Sequence, residues 1–298
     1  MPRQKAGNRV VDARPDRIDI RDREYRPRLV SLPDRYPSAT FIEKNLDEYV
    51  GLGLILDQGD EGACTGFGLA AVVNYLLWDR AREVPSGDDD EGSKLASVSA
   101  RMLYQMARVY DEWAGEDYDG SSCRGAMKGW HRHGVCSDSL WPYWTTRGKG
   151  KRKKQERSND PPKDGWQSDA AARPLGAYYR VNKDSIADMQ AAIFEVGAVY
   201  CSGMVHSGWD DPKPPADGEL PVILPPLEEG LGGHAFALMG YTKDGFIVQN
   251  SWGPKWGHQG FALLPYEDWI EHGMDAWVAV LGAPMRIASE SRARTSTS

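Results

Sequence analysis

Asp57-Gln58-Gly59-Asp60-Glu61-Gly62-Ala63-Cys64-Thr65-Gly66-Phe67-Gly68-Leu69-Ala70-Ala71-Val72-Val73-Asn74-Tyr75-Leu76-Leu77-Trp78 changes character part-way along. Its start is polar and punctuated by Gly59 and Gly62, the composition of a turn. From Cys64 onward, Phe67, Ala70, Ala71, Asn74, Leu77 and Trp78 recur at three- and four-residue steps. That spacing predicts a mostly buried helix whose first residue is the cysteine. A thiol at a helix N-terminus meets unpaired backbone N–H groups and the positive end of the helix dipole, so its pKa should fall. Thiolate is the nucleophilic form. A cysteine taken alone is more often a small buried hydrophobe, so the assignment depends on partners elsewhere in the chain.

Those partners come from the second half. Gly232-Gly233-His234-Ala235-Phe236 places a histidine at the start of a strand, after two glycines that leave room around it. Gln249-Asn250-Ser251-Trp252-Gly253 ends the next strand. Antiparallel neighbours of this length bring His234 and Asn250 together. An asparagine carbonyl accepting from one imidazole nitrogen fixes the tautomer and leaves the other nitrogen for the thiol. Each residue alone is commonly structural; in the order Cys, His, Asn they form a specific arrangement.

These segments resemble the papain family of cysteine peptidases. Asp57 to Cys64 is similar to the family's link between oxyanion glutamine and nucleophile, Gly233-His234-Ala235 to its histidine strand, and Asp119-Gly120-Ser121-Ser122 to its cleft wall. Asn250-Ser251-Trp252-Gly253-Pro254-Lys255-Trp256-Gly257-His258-Gln259-Gly260-Phe261 resembles its Asn-Ser-Trp-Gly block almost position for position. The likeness covers roughly residues 50 to 285. It implies an α+β papain-like two-lobe fold, a helical lobe facing an antiparallel β-barrel-like lobe, with the active site in the cleft between them.

The same resemblance implies roles. Cys64 is the nucleophile; His234 pairs with it and protonates the leaving amine; Asn250 orients His234, with Trp252 shielding that bond. Gln58 and the Cys64 N–H bind the oxyanion. Gly120, Ser121, Ser122, Gly233, Trp252 and Trp256 form the substrate-binding set. The expected substrate is a peptide or protein, with no cofactor and no metal. Related chemistry on another amide (a deamidase, a peptidoglycan amidase, an acyltransferase) stays open, as does an inactive peptide-binding scaffold. Two departures stand out: Glu61 replaces a cysteine that secreted relatives carry in a disulfide, and Thr65 replaces an aromatic residue.

The rest of the 298 residues sets bounds. A net charge of −7 argues against a nucleic-acid partner. No apolar run approaches the roughly 20 residues that span a bilayer, and Met1 to Val10 lack a secretory signal's apolar core. Four cysteines without paired spacing read as free thiols in a reducing compartment, which suggests a cytoplasmic protein, with export by a signal-free route as the alternative. Residues 1–45, rich in arginine and proline, read as an extended N-terminal arm, with autoinhibition by Asp12 to Arg35 near the cleft or a plain strap on the back as its two uses. Residues 46–285 form the catalytic domain, divided near residue 165, and 286–298 a disordered tail. Asp184 is the expected cap of a helix closed by Gly197, and Arg147 to Lys163 a solvated loop. His206 and Trp209 are placed beside a substrate pocket. His131, His133 and Cys136 are discounted as metal ligands, because residues two apart on a helix point to opposite sides.

Overall fold

The computed structural model describes residues 5–6, 9–83, 96–113, 118–147, 153–214, 220–226 and 232–284. In chain order it contains β1 (Lys5–Ala6), β2 (Arg9–Val10), α1 (Ala39–Gly51), α2 (Cys64–Glu83), α3 (Ala100–Val109), α4 (Cys123–His133), β3 (Trp144–Arg147) and β4 (Lys154–Arg157). There follow α5 (Trp166–Ala171), β5 (Leu175–Arg180), α6 (Ile186–Val196), β6 (Val199–Val205), β7 (Gly232–Tyr241), β8 (Gly245–Gln249), β9 (Phe261–Pro265), α7 (Tyr266–His272) and β10 (Gly273–Leu281). Helices α2, α3 and α4 pack on one another, and a six-stranded antiparallel sheet, ordered β5-β10-β6-β7-β8-β9, makes the other half. The α+β class follows from this division of helices and strands.

Strand β7 is buried at all ten of its positions, so it is covered on both faces. Side chains alternate along a strand. Ala235, Ala237 and Met239 join the cluster that contains Phe67, Ala71 and Leu76 of α2. Phe236 and Leu238 join a second cluster with Met189 and Ile193 of α6 and Trp269 of α7. On the α2 side the contact is nearly backbone to backbone: a Cβ on Gly68 would lie 2.9 Å from backbone atoms of Ala235 and Phe236. Glycine on the helix and small residues on the strand therefore bring Cys64, one turn earlier, towards His234.

Capping explains the helix starts. Ser99 Oγ accepts from Met102 N–H and Ser122 Oγ from Gly125 N–H, as hydroxyl N-caps do. For α6 the cap is Ser185, which accepts from Asp188 N–H at 3.2 Å, and not the expected Asp184, whose carboxylate takes Lys183 instead. The extended arm also ends sooner than residue 45. Ser38 caps α1, where Phe41, Ile42, Leu46, Tyr49 and Val50 form an apolar stripe against the first cluster. The basic run is not an irregular loop: β3 and β4 pair from Trp144↔Arg157 to Arg147↔Lys154, leaving β4 exposed. The tail at 286–298 lies outside the described residues. All four cysteines are buried free thiols, and no described helix is long and apolar enough to cross a membrane.

Gly68→Ala should lower stability by about 2 kcal/mol, because overpacking against backbone is relieved only by moving α2 from β7. Thermal unfolding checks this, with a drop in Tm of roughly 5 °C expected; an unchanged Tm would show that the approach is not constrained.

Candidate active site

Cys64 opens α2 and is fully buried. His234 lies on β7, and Asn250 follows directly after β8. The β7–β8 register pairs Ala237 with Gln249, which makes His234 and Asn250 diagonal neighbours on one face, within side-chain reach. Their contact is 2.9 Å, from His234 Nε2 to Asn250 Oδ1. A second donor, the Ser251 N–H, holds the same oxygen at 2.7 Å. With its proton on Nε2, a neutral His234 presents Nδ1 as a base; that atom is buried and has no hydrogen-bond partner. Trp252 lies over His234 at 5.1 Å between ring centroids, and Trp209 approaches edge-on at 6.1 Å.

Gln58 is buried and held at both ends of its amide. Ser251 Oγ–H donates to Oε1 at 2.8 Å, and Nε2 donates to Glu61 O at 3.0 Å. Trp256 stands behind this group, donating its indole N–H to Trp209 O at 2.6 Å and meeting Trp252 edge-on. Its position is that of a support for Trp252, not of cleft lining. Trp209, expected beside a pocket, is likewise buried against His234 and Phe236. His206 is buried too; its Nδ1 accepts from Gly208 N–H and its Nε2 donates to Asp268 at 2.7 Å. His206, Asp268 and His272 are the one group with metal-ligand proximity among the described residues, and those two bonds already occupy both ring nitrogens of His206.

Across this cleft runs the chain's own arm. Arg9 donates to Trp252 O, stacks over its ring at 5.3 Å and faces Asp57. The Ala13 N–H donates to Gly233 O at 2.8 Å and the Arg14 N–H to Ser121 O at 3.1 Å, with a parallel bridge between Arg14 and Ser122. The fit requires glycine on both walls: a Cβ on Gly120 would fall 1.6 Å from Asp12 O, and one on Gly233 would fall 1.9 Å from Ala13 O. Beyond the cleft, Asp16 accepts from Arg124 N–H and from the Trp277 indole, and its own N–H donates to Asp275. The buried Arg124 guanidinium binds Asp22 and Glu112. Residues 9–14 therefore lie over the cleft, starting before the expected Asp12, and residues 16–25 are strapped to the body.

Burial dominates the electrostatics of the site, with smaller contributions from Asp12 and Arg9 of the arm. Burial pushes the Cys64 thiol up to about 11, against the backbone N–H groups of Ala235, Asp12 and Thr65, and the nearby Asp12 carboxylate pushes the same way. The lowered thiol pKa expected from the helix N-terminus is thus overridden by desolvation. Burial also takes His234 down to about 4, opposed by the bond to Asn250 and assisted by Arg9.

The profile described as "Papain family cysteine protease" matches residues 52–276, most of the chain. The chain belongs to the papain family of cysteine proteases. It is thus a cysteine peptidase, and the papain-like fold extends to its solved relatives. Xylellain, a cysteine protease from Xylella fastidiosa, is 25% identical with a TM-score of 0.67, over 94% of this chain and 97% of xylellain. Procathepsin B S9 from Trypanosoma congolense has the same fold at 15% identity and a TM-score of 0.61, over 93% of this chain and 88% of its own. An uncharacterised peptidase C1-like protein of Acanthamoeba polyphaga mimivirus is 23% identical over 236 residues, 75% of this chain and 68% of that protein.

A papain-family histidine whose pKa falls from the ordinary value near 6.5 to about 4 on folding adds stability above 6.5, and that stability is lost as the pH falls towards 4. NMR titration of the full chain should find His234 neutral down to about pH 4. A midpoint at or above 6.5 would contradict the burial of His234.

Proposed function

We propose that this peptidase hydrolyses peptide bonds through Cys64, His234 and Asn250, with Gln58 binding the oxyanion, and that residues 9–14 hold it latent. One observation carries the reading: an extended peptide backbone already lies between Gly120–Ser122 and Gly233, hydrogen-bonded by its main chain beside Cys64. A cleft that accepts one peptide through main-chain groups can accept another.

The bound arm is in a resting pose. Cys64 Sγ meets the Asp12 N–H, and the Asp12 carbonyl oxygen is directed at Gly120. The Asp12 carbonyl is thereby turned to the cleft wall at Gly120. When the arm leaves, the sulfur regains solvent and the N-terminus of α2 can favour thiolate. Cys64 passes its proton to His234 Nδ1 and attacks the substrate carbonyl carbon. Negative charge develops on the carbonyl oxygen, towards Gln58 Nε2–H and the Cys64 N–H. The tetrahedral centre collapses, the C–N bond breaks, and His234 delivers its proton to the departing amine. A water that gives its proton to His234 then attacks the thioester, releasing a carboxylic acid and restoring the thiol.

His234→Ala should abolish turnover of a fluorogenic peptide, whereas Asn250→Ala should leave a measurable remnant, since orientation is worth less than proton transfer. Near-normal rates in His234→Ala would remove the assignment.

Latency has its own test. The arm competes with substrate from within the same molecule, so loosening it lowers KM without changing kcat. Val11 is fully buried in the second core cluster, and Val11→Asp places a charge there. The full-length variant should show KM reduced at least about fivefold, the equivalent of ~1 kcal/mol of arm binding, at constant kcat. An unchanged KM would make the arm a strap alone.

A further inference from the structure

The loop from Asp57 to Cys64 carries both Gln58 and the candidate nucleophile, and its grip on the rest of the protein centres on a residue so far given no role. Glu61 O accepts from Gln58 Nε2 at 3.0 Å. Its carboxylate accepts from the Tyr143 hydroxyl at 2.7 Å, and that hydroxyl also lies 2.9 Å from Gln58 O. The Arg101 guanidinium, only 6% exposed, sits 3.4 Å from the same carboxylate and 4.4 Å over the Tyr143 ring. Its Nη2 is tied to Ser158 O at 2.9 Å. Arg157 reaches the other carboxylate oxygen at 3.8 Å. Tyr143 is itself wedged edge-on against Phe67 of α2 at 4.6 Å.

We propose that Glu61, clamped by Tyr143 and Arg101, is the positioning residue for the Gln58 amide. This rests on the reading of Gln58 as oxyanion donor. A primary amide has two N–H bonds and one oxygen. Here the oxygen is taken by Ser251 and one N–H by Glu61 O, so the remaining N–H has a single direction left to it. Where Glu61 O stands decides that direction. The Glu61 main chain belongs to a turn held at Asp57 by the Trp144 indole, 2.7 Å from Asp57 O, and at Glu61 by the carboxylate clamp. An oxyanion donor must be placed to within a few tenths of an ångström, and a displacement of about 1 Å can cost a factor on the order of 100 in rate.

The test uses the full chain with two readouts. Alkylation of Cys64 by iodoacetamide proceeds by displacement of iodide and forms no oxyanion, so it reports the thiol and α2 but not Gln58. Saturating kcat on a fluorogenic peptide reports both. Tyr143→Phe and Glu61→Gln should lower kcat by about 5- to 30-fold, with KM and the alkylation rate each within about twofold of wild type. Gln58→Ala is the reference, with an expected loss on the order of 100-fold. If Gln58→Ala falls as expected while both clamp variants keep wild-type kcat, the positioning role is overturned. Alkylation falling in step with kcat would also overturn it, because the damage would then reach α2. Full kcat in Gln58→Ala would instead remove the oxyanion reading, and the clamp's function with it. Glu61→Ala is the harsher variant, since it strips the charge partner from a buried guanidinium.

Discussion

The site depends on how closely one helix can lie on one strand. α2 and β7 belong to the two halves of the molecule, and each brings one candidate reacting group, Cys64 on the helix and His234 on the strand. Gly68 against the backbone of Ala235 and Phe236 sets their separation. Everything placed outside this pair works from it. Asn250 reaches His234 because β8 follows β7 in a register that makes them diagonal neighbours. Gln58 reaches the same place because its own backbone N–H is hydrogen-bonded to Ser251 O, one residue past Asn250. Two short segments, 57–64 and 249–252, are thus laced across the junction, so a shift of α2 would disturb Cys64 and Gln58 together.

Burial gives the site its chemical state. A thiolate and an imidazolium can each be stabilised by the other, but both are charged, and covering the cleft penalises both. The thiol rises to about 11 and the imidazole falls to about 4. At neutral pH the pair is then uncharged on both sides, and the His234 Nδ1 is left without a partner. In the proposed mechanism, a covered cleft would do more than exclude substrate, because burial also disfavours the ionised Cys64 thiol. The Asp12 carboxylate acts in the same sense, since a negative charge beside the sulfur opposes a second one.

Much of this was legible from residues alone. The start of α2 at Cys64, the stop of α6 at Gly197 and the pairing of His234 with Asn250 all follow from local patterns. What the patterns missed has physical causes. The apolar stripe of α1 begins inside a proline- and arginine-rich segment, so composition concealed its period. The β3–β4 ribbon is exposed on β4 and anchored through Trp144, which leaves no alternation to read. Trp209 and Trp256 belong to the expected cleft set, and aromatic residues suit both pocket and support; only packing against His234 and Trp252 separates the two. The Glu61 clamp joins residues 61, 101, 143 and 157, and no short window contains it.

The arm's hold varies with pH through two groups of opposite sign. Burial, and then the neighbouring Asp275, raises the pKa of Asp16, with Arg124 and the Trp277 indole opposing. Arg180 faces both carboxylates, and Asp22 and Glu112 share the Arg124 guanidinium. A carboxyl raised on docking favours the docked arm below its free value of about 3.9, and that contribution is lost as the pH rises through the docked value. His234 works the other way, since its contribution is complete above about 6.5 and is lost towards 4. Between those limits the two partly cancel. Above them His234 has nothing more to add, while ionised Asp16 still lies against Asp275. The strap at Asp16 therefore loosens as the pH rises from about 4 to about 7, whereas a fall from about 6.5 towards 4 acts at the cleft, through His234. The two ends of the same arm answer to opposite directions of pH because one end buries an acid beside an acid and the other buries a base.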